Sequence, residues 1–167
     1  DTDKSNAEKV LAEEHRVVLL EKIRTLEPDN QTNIASLGTT YAWLSWYLLH
    51  EQKFDKALEA TQKAIQFNPE VDWVHRMEVS AYLYLDNFEE ARKVYMQWNY
   101  KPYSYNEGET FRDQFISDLK YFETLDITNT NAVPKAKLLI FRAGDLLEED
   151  IKTYSDVANS RDVEDLL

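Results

Sequence analysis

The chain has 167 residues, 43% of them apolar, which is enough to pack one domain around a real core. A formal net charge of −12 sets it against phosphate backbones and anionic membrane surfaces, so no nucleic-acid partner is expected; the charge either simply keeps the protein in solution or steers a basic peptide or protein patch toward it. There is no Cys, which removes disulfide and thiolate chemistry, and no run of about 18 apolar residues that could insert into a membrane.

Three Gly and four Pro in the whole chain point to helices rather than a turn-rich sheet. The first helix is expected over Ser5 to Leu26, where Val10, Leu11, Val17, Val18, Ile23 and Leu26 recur at helical spacing. Glu27-Pro28-Asp29-Asn30 ends it. Asn33 is a good N-cap type and opens a second helix that runs to His50, dense in Leu, Trp and Tyr. After the short turn Glu51-Gln52-Lys53, a third helix covers Phe54 to Phe67 and stops before Asn68-Pro69. A fourth is expected over Asp72 to Leu85, with Asp86-Asn87 as a turn, and a fifth over Phe88 to Trp98.

The segment Asn99 to Tyr105 reads as an ordered, tyrosine-rich loop that either packs onto the fifth helix or forms an adhesive rim. Asn106 with Glu109 has the form of a capping box, and behind it Phe111, Phe115, Leu119 and Phe122 keep one stripe of a sixth helix ending near Asp126. Thr128 to Asn131 is a polar loop. Pro134 suits the first turn of a seventh helix, whose apolar stripe runs from Val133 to Ala158 with a weak point at Gly144. The acidic stretch from Glu148 to Leu167 is expected to fray unless a partner holds it.

Two blocks of this pattern align at an offset of 34 residues: Phe54-x-x-Ala57 with Phe88-x-x-Ala91, Asp55 with Glu89, and Leu48 with Tyr82. Thirty-four is the period of the tetratricopeptide repeat (TPR). Residues 38–71 resemble one such unit, through Tyr41, Leu44, Ser45, Leu48, Phe54, Ala57, Ala64 and Pro69, with Thr61 where the pattern prefers an aromatic. Residues 72–105 resemble a second unit through Tyr82, Phe88, Ala91 and Tyr95, but Glu78 stands where the family packs Leu and Val79 where it wants a small residue. The arrangement over 37–126 is similar to TPR domains appended to larger bacterial proteins. The resemblance implies an all-α fold, an α-α superhelix of about seven helices in one domain. Residues 1–37 would be an N-terminal cap and 106–167 a C-terminal cap with an acidic tail.

The resemblance also implies a groove lined by the first helix of each unit. In the first unit the lining positions include Trp43, Trp46 and His50, and in the second Trp73, Arg76, Ser80 and Tyr84. Large rigid aromatics there would grip a segment of a partner polypeptide, with Arg76 and His50 orienting a polar end. The competing expectation is that the chain's own C-terminal helices fill the groove and make these residues core. The carboxylate clamp found in one branch of the family is absent, since Ala42 and Trp46 occupy its positions in the first unit.

Nothing in the chain has the form of a catalytic, metal or cofactor motif. Its three His are isolated, at positions 15, 50 and 75, and neighbouring acids such as Glu89-Glu90 point in different directions on a helix. Catalysis would require residues of distant helices to converge. The leading expectation is therefore a non-enzymatic protein-interaction or assembly module without cofactor. The alternative is a structural or self-associating domain of a larger protein. The chain begins at Asp1 and not at Met, as expected of a processed protein or a piece of a longer one, and no compartment follows from its composition.

Overall fold

The computed structural model describes residues 4–103, 108–125 and 132–142. Ser5 starts the first helix, α1 (Asn6–Leu26). Its side chain accepts from the Glu8 amide while the Glu8 carboxylate accepts from the Ser5 amide. Six more helices follow among the described residues: α2 (Gln31–His50), α3 (Phe54–Phe67), α4 (Val74–Tyr84), α5 (Phe88–Trp98), α6 (Phe111–Thr124) and α7 (Ala132–Arg142). The protein is all-α, as its few Gly and Pro lead one to expect. The expected bounds of α3 and α5 hold to the residue. The cap of α2 is Asn30, not Asn33: the Asn30 side chain accepts from the Asn33 amide at 3.2 Å, so the helix begins a turn earlier. The capping box of α6 is Thr110 with Asp113, four residues beyond the expected Asn106 with Glu109; Asn106 itself lies outside the described residues. The expected continuation of α7 to Ala158 and the acidic tail fall outside them too.

Helices α1 to α5 pack each against the next, and α6 and α7 lie against α4. The 34-residue repetition extends from side chains to backbone. At the end of α2 the Lys53 amide donates to the Leu48 carbonyl at 2.9 Å and the Gln52 amide to Leu49 at 3.0 Å. At the end of α4 Asn87 donates to Tyr82 at 2.8 Å and Asp86 to Leu83 at 3.1 Å. This is the Schellman closure, which needs a left-handed residue after the helix. Gln52 (φ 56°) and Asp86 (φ 64°) supply it, although neither is glycine.

The two helix pairs are closed differently inside. Between α2 and α3, Ser45 and Thr61 are fully buried, with their hydroxyls 2.6 Å apart. The Ser45 proton goes to the Ala57 carbonyl at 3.0 Å, which leaves Thr61 to donate to Ser45. The corresponding residues of α4 and α5 are Val79 and Tyr95, again fully buried. Thr61 and Val79, two of the misfits of the expected pattern, thus occupy equivalent interfaces, one closed by hydrogen bonds and the other by apolar volume. Gly38 marks the tightest approach in the first pair: a Cβ there would stand 2.5 Å from the Asn68 Cβ.

After α5 the chain folds back through a short antiparallel bridge between Pro102 and Thr110. The Tyr103 amide donates to Glu109 at 2.8 Å and the Phe111 amide to Lys101 at 3.0 Å. Tyr103 is buried against the core while Tyr100 is exposed. This bridge starts α6 beside the end of α5, from where it crosses α4 and reaches α2.

Candidate interaction face

The seven residues expected to line a groove fall into three groups. Trp46, His50, Arg76 and Tyr84 lie beneath α6. Trp73 at the N-cap of α4 and Ser80 within the helix are buried, the Ser80 hydroxyl donating to the Arg76 carbonyl at 2.9 Å. Trp43 alone of the seven is openly exposed, at 42%.

The covered group is built around Phe122 of α6. His50 and Tyr84, equivalent residues 34 apart, both place their rings against it, with centroids at 5.6 and 5.7 Å. Trp46 packs on the same ring at 6.1 Å and on His50 at 4.3 Å, and Tyr121 closes on His50 at 5.0 Å. One turn earlier on α6, Asp118 accepts from Arg76 at 2.9 Å. The Arg76 guanidinium lies over the rings of both Trp46 (5.3 Å) and Tyr103 (5.4 Å), so cation–π attraction holds it from two sides.

Burial dominates the electrostatics of this cluster. The Asp118 carboxyl is pushed up to about 6 by desolvation, against the pull of Arg76. Desolvation, reinforced by the nearby Lys9 ammonium, brings the His50 imidazole down to about 4, so it is neutral at pH 7. Among the described residues neither His50 nitrogen has a hydrogen-bond partner in its buried setting. His50 is thus an uncharged ring packed among Trp46, Tyr121 and Phe122.

The exposed part is an aromatic edge. The Trp43 indole stacks on Tyr47 at 6.2 Å and leans on buried Trp73 at 5.0 Å, while Lys9 of α1 stands over the Tyr47 ring at 5.6 Å. Two neighbours thus fix the orientation of the exposed ring. Elsewhere, half-buried Glu78 is hydrogen-bonded through its carboxylate to His75 Nδ1 at 2.9 Å, and His75 stacks on Trp98 at 4.0 Å, which gives this residue of α4 a polar partner where the repeat pattern places Leu.

Phe122, Asp118 and Tyr47 were not among the expected site residues. Phe122 was legible only as a member of the α6 stripe, since nothing local to it indicates which helix it meets. Among the described residues no group of three or more His, Asp or Glu gathers to hold a metal, and no helix is long and apolar enough to cross a membrane. A shallow cleft of about 270 Å³ lies apart from this face, lined by Arg24, Thr25, Pro28, Ile34 and Phe67. Comparison with protein-family models, with curated proteins and with solved structures finds no match to the chain.

Proposed function

We propose that the chain is a TPR-like protein-interaction module that presents the Trp43 edge of α2 to a partner polypeptide. The observation that carries this reading is the exposed indole of Trp43, held in place by Tyr47 and Trp73. A rigid aromatic offered to solvent brings contact area to an interface at low cost in side-chain entropy. The 34-residue repetition of side chains and helix closures supports the TPR-like assignment. The net charge of −12 favours a segment that combines basic and apolar side chains.

The test is a titration of the purified chain against an array of basic, aromatic-containing peptides, read by fluorescence anisotropy. A subset should bind, and Trp43→Ala should weaken that binding by about tenfold or more while leaving the circular dichroism unchanged. If no peptide binds, or if Trp43→Ala binds as the parent does, the reading fails.

A second reading is structural: the module serves the architecture of a larger chain and has no open peptide groove. It is favoured by α6, whose Phe122 and Asp118 occupy the surface of Trp46, His50, Arg76 and Tyr84.

A further inference from the structure

Helix α1 has a second apolar face. Val10, Val17 and Leu20 turn inward, toward the core. On the opposite side Leu11, Val18, Leu19 and Leu26 are 56, 54, 59 and 82% exposed, and they form one stripe along the helix. His15 and Lys22, both exposed, stand along this stripe between its apolar residues, and an exposed face that gathers four large apolar side chains marks an interaction surface.

The stripe has an internal symmetry. Leu11 precedes Val18 by seven residues, and Leu26 follows Leu19 by seven. Two α1 helices packed antiparallel about a twofold axis between Val18 and Leu19 would therefore set Leu11 of each copy level with Leu26 of the other. Val18 and Leu19 of both copies would meet at the centre. A face that complements itself under such a rotation is what an isologous dimer requires.

Charge points the same way. The chain carries −12 overall, yet α1 holds four acidic and four basic residues, so the helix itself is neutral and its charge does not oppose a second copy. In the antiparallel register, Glu14 of each copy comes within one residue's rise, about 1.5 Å along the axis, of level with Lys22 of the other. The side chains of Glu14 and Lys22 make no hydrogen bond or ion pair among the described residues of their own chain, which leaves both for the partner.

We infer that the outer face of α1 is a homodimer interface, closed by Leu11, Val18, Leu19 and Leu26 and flanked by two Glu14–Lys22 pairs between the copies. This surface is distinct from the Trp43 edge, and the inference stands without the peptide-binding reading.

The experiment is sedimentation equilibrium of the full chain over a wide concentration range. The parent should show a monomer–dimer equilibrium. Leu19→Glu brings two carboxylates together at the twofold and should weaken association by more than about tenfold, with circular dichroism confirming that this exposed position leaves the helices intact. Glu14→Lys should weaken association, and adding Lys22→Glu to it should restore it. A parent that stays monomeric throughout, or a folded Leu19→Glu variant that dimerises as the parent does, overturns the proposal. A double charge reversal that fails to restore association overturns the antiparallel register.

Discussion

Arg76 on α4 donates to Asp118 on α6 at 2.9 Å, joining residues 42 positions apart in a largely buried pair. Removing only the cation leaves a carboxylate desolvated and uncompensated. Arg76→Ala should lower the free energy of unfolding by about 3 kcal/mol. The paired replacement Arg76→Met with Asp118→Leu should cost clearly less, because no charge is left behind. Urea unfolding of both variants beside the parent measures the difference.

The same cluster makes stability depend on pH through two groups of opposite sign. His50 has a folded value of about 4, below its ordinary 6.5, so the folded state holds fewer protons in that interval. Its contribution is present above pH 6.5 and is lost as the pH falls through 4. Asp118 has a folded value of about 6, above its ordinary 3.8. Its contribution is present below pH 3.8 and is lost as the pH rises through 6. Across pH 4 to 6 the two offset one another. On acidification through this window, His50→Phe should gain stability relative to the parent and Asp118→Asn should lose it. Denaturant midpoints at several pH values give both trends.

The left-handed residues of the two helix closures carry a cost that glycine would not. Gln52→Gly should stabilise the protein by about 0.5–1 kcal/mol, and Gln52→Val should destabilise it. Asp86→Gly should also stabilise, by an amount reduced by the loss of the surface pair that Asp86 makes with Lys135. Thermal unfolding of the three variants ranks them.

Gly38 reverses the usual preference for alanine inside a helix. Alanine would bring about 1 kcal/mol of helix propensity, but its Cβ would sit 2.6 Å from the Asn68 amide nitrogen as well as against the Asn68 side chain. Asn68 is itself tied to α2, donating to the Ala35 carbonyl at 3.3 Å and to Thr39 at 3.2 Å. The end of α3 would have to move, and Gly38→Ala should be destabilising by about 1–3 kcal/mol. The melting temperature should fall accordingly.

The helices were legible because their signals are local. Phe54 and Phe88 follow turn residues directly, and Asn68-Pro69 stops α3 without ambiguity. The start of α2 was misplaced by a turn because Asn30 and Asn33 are both competent caps, and only the geometry selects between them. What covers each helix was not legible. The α6 stripe of Phe111, Phe115 and Phe122 is plain in the sequence, but its destination is set by the bridge at Pro102 and Thr110, which directs the chain back across α4. Glu78 and Val79 stood out against the repeat pattern because their compensations lie on other turns and other helices, at His75 and at Tyr95. Trp43 and Trp46 are three residues apart on one helix, yet one is exposed and the other lies under α6, a distinction only the third layer makes.

In an array where each helix touches only its neighbours, units can unzip one at a time from an end. Phe122 should oppose that here, since one ring is seated on both His50 and Tyr84 and so ties the α2–α3 helix pair to the α4–α5 pair. Opening either unit strips the packing from the other. The backbone amides of α2 and α4 should therefore share a single hydrogen-exchange free energy, and Phe122→Ala should split it into two.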